Sequence, residues 1–368
     1  MGLIADHIAY DVAIIVLSIF LLVLAIVLFF TCRKKPVQSD IEKDQEEEED
    51  NEEEQQKAVP PVKICGRAYT LMDIDAATDG FNQRRIMAKD LTGTLYAGVL
   101  QNGELVAVKR IHPLLVLRNA GLSGFSSVLK CLSSAQHPNI VSIIGFSEAP
   151  GERIIVMEFV GTLSLEFYLH QNPDGNSLLD WNQRFKIAAE AARGLHYLHE
   201  IASPNIVHGC VKSSNILIDI NFSARVSDYG LNFLAPQEKR ALVGYVDEEY
   251  WISTDNNNNN NGIIRGGGSC KESDVYGFGV VLLELLSGRG CEEGLLVKWA
   301  LPLIKDMRYS EVLDARLVIP SEIKPLVRLA KVASACVGNS RKCRPSIAQV
   351  STILNHLERE TCLMTSQN

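Results

Sequence analysis

Between His208 and Leu217 the chain gathers an imidazole, a thiol, an ammonium, two hydroxyls and a carboxamide: His208-Gly209-Cys210-Val211-Lys212-Ser213-Ser214-Asn215-Ile216-Leu217. A carboxylate follows at Asp228, ahead of Tyr229-Gly230, and another ammonium, Lys109, closes the apolar run Val106-Ala107-Val108. Thiol chemistry at Cys210 is the first reading to test. A thiol with a pKa near 8.5 is mostly protonated at neutral pH and accepts hydrogen bonds weakly, so it is a poor general base. A nucleophilic thiol needs a partner that takes its proton, and the neighbours of Cys210 show no His–Asp pairing, so an inert thiol is the preferred reading. The nine cysteines (Cys32, Cys65, Cys131, Cys210, Cys270, Cys291, Cys336, Cys343 and Cys362) are scattered and odd in number, without a Cys-x-x-Cys pair. That pattern argues against a metal site or a disulfide framework and for a reducing compartment.

The wording of the 208–217 stretch resembles the catalytic loop of protein kinases, His-Arg-Asp-x-Lys-x-x-Asn, with Gly209 in place of the Arg and Cys210 in place of the catalytic Asp. Ser227-Asp228-Tyr229-Gly230 is similar to the Asp-Phe-Gly metal motif, and Val106-Ala107-Val108-Lys109 to the strand whose Lys contacts the α- and β-phosphates. The entry segment Tyr69–Phe81 and the run Trp181–His199, with its Trp-x-x-Arg and Ala-x-Gly-Leu-x-Tyr-Leu-His wording, resemble plant receptor-like Ser/Thr protein kinases, and the likeness continues to about Leu357.

Phosphoryl transfer rests on positioning and charge neutralisation more than on covalent chemistry, and the resemblance assigns each part a residue. Lys109, Gly93, Leu95, Ala107, Met157 and Leu217 stand at nucleotide-binding positions, with Met157 as gatekeeper and Leu95, Ala107 and Leu217 around the adenine. Asn215 and Asp228 stand at the metal-ligand positions, and Lys212 at the Lys that steadies the γ-phosphate. ATP and Mg²⁺ are the implied cofactors, bound weakly if at all, because the machinery is eroded. The phosphate loop Gly-x-Gly-x-x-Gly-x-Val aligns with Ala88-Lys89-Asp90-Leu91-Thr92-Gly93-Thr94-Leu95, so only its third Gly survives. At about 4 Å and an effective dielectric near 20, a charge pair is worth roughly 4 kcal/mol, so Asp90 opposes a triphosphate unless it turns to solvent. The Glu that should hold Lys109 is Val128, which predicts a Lys that is not anchored in the active geometry. Leu231–Tyr245 contains no Ser or Thr, so the usual activation-loop phosphorylation site is missing. Gly244-Tyr245-Val246-Asp247-Glu248-Glu249-Tyr250-Trp251 is similar to Gly-Tyr-x-Ala-Pro-Glu-Tyr-Trp, with Glu249 kept and Arg344 as its expected partner.

These residues need elements to position them. Thr94–Leu100 and Leu105–Lys109 read as strands joined by the turn Gln101-Asn102-Gly103, Ile140–Gly145 and Arg153–Phe159 as two further strands, and Gly124–Gln136 as helix. Past Phe159 the apolar spacing is helical: Phe185, Ala188, Ala192, Leu195 and Leu198 recur at steps of three and four. Asp274–Leu286 and Ile347–Leu357 read as further helices. The expected fold class is α+β, a bilobal protein-kinase-like fold over 67–360, with a small β-rich lobe over about 82–158 and a large helical lobe over about 159–360. An Asn/Gly-rich insertion at 253–270 and a tail at 361–368 complete it.

Ahead of the domain, Val12–Phe30 carries no charge and spans roughly 28 Å as a helix, the thickness of a bilayer core. It is longer than a signal-peptide core and no basic residue precedes it, which favours a transmembrane helix over 12–31. Arg33, Lys34 and Lys35 follow it, which predicts a short extracytoplasmic N-terminus at 1–11 and a cytoplasmic bulk. Eleven acidic residues lie between Asp40 and Glu54 against Lys43 alone, so 32–66 reads as an acidic disordered linker. That segment accounts for the formal charge of −8. The remaining domain is close to neutral and gives no sign of nucleic-acid binding.

The expectation is a single-pass plasma-membrane pseudokinase without an ectodomain or an extracellular ligand of its own. It acts as scaffold or allosteric partner of active receptor-like kinases or their substrates. The alternatives are an atypical, slow Ser/Thr kinase and a nucleotide-binding switch without transfer.

Overall fold

Two hydrophobic periods divide the chain, and they correspond to two lobes. The structure, a computed structural model, describes residues 66–365 apart from 119–123, 162, 172–178, 235–241, 251–268 and 293. The expected membrane span and acidic linker lie outside the described residues except for Gly66, and so does the Asn/Gly-rich insertion except for Ser269-Cys270. No helix among the described residues is long and apolar enough to cross a membrane.

The small lobe is built on strands β1 (Arg67–Ala68), β2 (Ile86–Lys89), β3 (Gly93–Val99), β4 (Leu105–Ile111), β5 (Ile143–Ala149) and β6 (Glu152–Glu158). They form one sheet in the order β1-β5-β6-β4-β3-β2. Only the β1–β5 pairing is parallel. The β3–β4 hairpin turns where expected, with Gly103 in the left-handed conformation (φ +81°). β1 lies ahead of the residue-82 boundary read from the sequence, so the entry segment takes part in the sheet. Helix α1 (Leu71–Thr78) starts at a reciprocal cap between Thr70 and Asp73. It buries Ile74 and Ala77 against Tyr96, Val106 and Val108. On the opposite face, α2 (Pro113–Arg118) and α3 (Phe125–Leu132) place Leu115, Phe125, Leu129 and Leu132 in the main core with Phe146 and Ile155.

The large lobe contains α4 (Leu165–His170), α5 (Trp181–His196), the two-stranded ribbon β7 (Ile216–Ile218) and β8 (Ala224–Val226), and the helices α6 (Lys271–Ser287), α7 (Leu295–Lys305), α8 (Lys324–Cys336) and α9 (Ile347–Thr365). From Ser273 to Ser287 only Tyr276 on α6 escapes burial, as expected of a helix enclosed on all sides. α5 begins at an Asp180–Gln183 capping box and ends in a single π turn, Tyr197–Ile201. Its wholly buried Arg184 donates to the carbonyls of Leu179 and Leu285 and pairs with Asp314 at 2.5 Å. Helices α7 and α8 carry apolar stripes that sequence reading left unassigned, and α9 runs beyond the expected end at Leu357.

Candidate active site

Strand alternation decides where Lys109 goes. Along β4, Val106 and Val108 face the α1 cluster, so Ala107 and Lys109 face the opposite side. Ala107 pairs with Met157 on β6, and Leu95 on β3 stands opposite Lys109. β7 supplies Leu217 from the other lobe. Together they line a cavity of about 550 Å³, which also takes in Gly93, Asp90, Lys212, Asn215 and Asp228. The sequence-predicted nucleotide and metal positions thus converge on one cleft. Cys210 is half-buried beside it and not among its lining residues.

The phosphate end departs from what the sequence led us to expect. Lys109 is buried, and its Nζ donates to Asp228 Oδ2 at 2.6 Å and to Asp90 Oδ2 at 2.9 Å. Val128 on α3 is partly buried against the core and offers no carboxylate; Lys109 is held instead by Asp228 and Asp90. Asp90 neither stands free against the cleft nor turns wholly to solvent. Its second oxygen, Oδ1, accepts from the Thr92 amide (2.8 Å), the Thr92 hydroxyl (2.6 Å) and the Gly93 amide (2.8 Å). The loop between β2 and β3 therefore closes as an Asx-type turn on its own side chain. Asp-x-Thr-Gly is a legible signal for such a turn. Reading the stretch only as a damaged glycine loop concealed it.

Burial works against the charge on Lys109, but Asp228 and then Asp90 outweigh it and raise its pKa above the ordinary lysine value. Burial also opposes the Asp90 carboxylate, and Lys109, Thr92 and the Gly93 amide bring its pKa below the usual range. Gly93 persists for a packing reason. A Cβ there would lie 2.1 Å from the carbonyl oxygen of Arg110 on the paired strand.

The loop that carries Cys210 is held by Asp274 on α6, which accepts from the backbone amides of His208 (2.7 Å) and Gly209 (2.8 Å) and pairs with His199 at 2.8 Å. Gly209 adopts a φ of +79°, and a Cβ there would press on Asn232. The Asn215 carboxamide donates to the Cys210 carbonyl at 2.8 Å. Burial pushes the Cys210 thiol above its ordinary pKa, so it stays protonated at neutral pH. Asp228 is in the left-handed region (φ +58°), Tyr229 beside it is buried, and Leu132 and Ile143 share its core.

A second expectation is corrected below the cleft. Arg344 forms its ion pair with Asp247, not with Glu249. Asp247 is buried and also receives Arg341 at 2.9 Å, while half-exposed Glu249 accepts from the Arg341 amide at 3.2 Å. An Asp at a position where the family pattern has Ala gave no hint of this, because its partners lie almost a hundred residues away.

A two-lobed fold with a cleft built in this way defines a protein-kinase-type domain, and the comparisons agree. Residues 82–354 match the protein tyrosine and serine/threonine kinase family, and the chain belongs to that family. It is 36% identical to the serine/threonine-protein kinase PBS1 of Arabidopsis thaliana over 81% of this chain and 66% of that protein. It is 32% identical to the proline-rich receptor-like protein kinase PERK3 of the same plant over 89% of this chain and 62% of that protein. Among solved structures, the pseudokinase domain of BIR2, an immune regulator of the RLK/Pelle family, matches at a TM-score of 0.62 and 30% identity, over 79% of this chain and 86% of that one. The chain thus has plant receptor-like kinase homologues and an RLK/Pelle pseudokinase as a structural neighbour.

The kinase family generally binds ATP and Mg²⁺. The phosphate end here does not fit a magnesium triphosphate held in the family's manner. The Thr92 and Gly93 amides and the Lys109 ammonium, which should meet phosphate oxygens, already hold the carboxylate of Asp90.

Proposed function

We propose that this protein is a pseudokinase, tethered to the plasma membrane by the apolar segment 12–31, that serves receptor-kinase signalling as a scaffold or allosteric partner of active receptor-like kinases or their substrates. One observation carries the reading: Lys109 is locked between Asp90 and Asp228 while a protonated thiol, Cys210, holds the place of the catalytic base. Transfer needs a residue that orients and accepts the proton of the attacking hydroxyl, and the place where the family has an Asp carries the Cys210 thiol, whose pKa burial raises. Support also comes from the pseudokinase likeness, although the curated relatives are named as kinases. The reading is tested with the purified full-length chain, ATP, Mg²⁺ and a generic protein substrate, beside an active relative as control. The expected result is no transfer above the rate of a Lys109→Met variant. Turnover in the ordinary kinase range of about 1–100 s⁻¹ overturns it.

The convergence of Lys212, Asn215 and Asp228 on one cavity favours, as a second reading, a slow Ser/Thr kinase. Under it, Asp228→Asn abolishes a small but real activity in the same assay.

A further inference from the structure

The two ends of the cleft have diverged in chemistry. The inner end is still an apolar slot, with Leu95 and Ala107 on one side, Leu217 on the other and Met157 behind. Ala107 and Met157 are buried, and Leu95 and Leu217 are partly so. Glu158 at its rim is held by Arg225 at 2.7 Å. The outer end contains a carboxylate where a phosphate would sit. Asp90 takes the two backbone amides and shares the Lys109 ammonium with Asp228, so it is an internal anion covalently fixed to the loop. An incoming phosphate would have to break those bonds and then lie beside a displaced negative charge. A ligand without phosphates meets neither cost, because it reaches only the apolar slot.

We propose that this cleft is a binding site for an uncharged, flat heteroaromatic ligand of the purine-nucleoside class, bound without a metal, and that Asp90 is the residue that sets this preference over nucleoside triphosphates. The proposal rests on the reading of the site as non-transferring and extends it to what the site holds. A nucleoside-sized ligand suits a cavity of about 550 Å³ in which the apolar inner end opens onto polar side chains, among them Ser164, Glu166 and Gln171. Magnesium adds nothing to such a ligand, because there is no phosphate for it to bridge.

The test is calorimetric titration of the full-length chain with adenosine, ADP and ATP, each with and without Mg²⁺, for the wild type, Asp90→Asn and Asp90→Gly. Asp90→Asn keeps an oxygen for the Thr92 and Gly93 amides and removes only the charge, so its fold is secure even if Asp90→Gly loosens the loop. In the wild type, adenosine should bind more tightly than ATP by at least about tenfold, with no effect of Mg²⁺; one charge-assisted hydrogen bond is worth that much. In Asp90→Asn, ATP should gain at least about tenfold, while adenosine changes by less than about twofold. Tighter ATP than adenosine in the wild type overturns the proposal. So does an unchanged ratio in both variants, or no adenosine binding at millimolar concentration. Phosphate transfer measured on the same samples separates the two readings. Wild-type turnover in the ordinary kinase range removes the pseudokinase reading, whereas the adenosine-to-ATP ratio judges the ligand preference by itself.

Discussion

The cleft and the base of the large lobe have undergone the same kind of change with opposite outcomes. In each, a cation expected by the family pattern has kept its place while the carboxylate that should hold it has moved. Arg344 is met by Asp247 in place of Glu249, and Lys109 by Asp90 in place of a Glu at the position of Val128. At the base, relocation preserves what the pair does. Asp247 is buried, it gathers both Arg341 and Arg344, and the segment after the cleft remains fixed to the large lobe. In the cleft, relocation reverses what the pair does. A Glu on the helix would leave the lysine's outer side open to phosphate. A carboxylate from the phosphate loop binds that lysine from the side on which the phosphates belong. A buried ion pair can thus be re-sourced without loss of fold, but where a cation is wanted for binding, the direction of its partner decides whether the site is open.

The greatest loss of stability should follow from a change at the base of the large lobe. Asp247→Ala leaves Arg344 buried without its carboxylate and should cost about 3–5 kcal/mol, whereas Glu249→Gln should cost less than about 1 kcal/mol, in keeping with its half-exposed side chain. Urea denaturation of the two variants beside the wild type measures both. Equal losses would show that Glu249 shares the anchoring role.

A smaller effect should appear on acidification. Burial lowers the pKa of His208 against the opposing pull of Asp274 and Asp228, with His199 adding to the lowering. Its Nε2 has no hydrogen-bond partner. The folded chain therefore takes up a proton on this ring less readily than the unfolded chain does. The unfolded chain protonates it near pH 6.5, so stability falls as pH drops below that value, by up to about 1.4 kcal/mol per pH unit. Half-buried His137 is lowered by burial too and contributes with the same sign. Urea midpoints at pH 7.5 and 5.5 should therefore differ less for His208→Asn, whose side-chain oxygen can still accept from the Cys210 amide. An unchanged difference would mean that other groups set the slope.

Sequence reading reached the parts of the molecule that repeat or alternate. The β3–β4 hairpin, the α5 and α6 helices and the cavity-lining Leu95, Ala107, Lys109, Met157, Asn215, Leu217 and Asp228 were legible because strand alternation and motif spacing are local. What it missed is long-range pairing of charges. Lys109 and Asp90 are 19 residues apart, and Arg344 and Asp247 are 97 apart. No periodicity links such partners. An acidic residue at an unusual position can repel a ligand, face water or replace a missing partner, and only the geometry decides among these. Helix α8 was less legible for a simpler reason: no kinase motif falls on it.

The smallest expected effect is the most informative. Cys210→Asp restores the residue whose absence is most conspicuous, and if that absence were the whole defect, transfer should return. The geometry predicts otherwise. A new carboxylate at position 210 does nothing to release Lys109 from Asp90 or to free the Thr92 and Gly93 amides. Cys210→Asp alone should therefore give no measurable gain in transfer. Cys210→Asp with Asp90→Gly should give a detectable gain, still limited by the lack of a carboxylate at Val128 to hold the freed lysine in place. Single-turnover transfer from radiolabelled ATP by the wild type, both single variants and the double variant resolves this as a cycle, in which coupling between positions 90 and 210 appears as more than additive gain. If Cys210→Asp alone were sufficient, the loop carboxylate would be a bystander, and the contrast between the two relocated ion pairs would vanish.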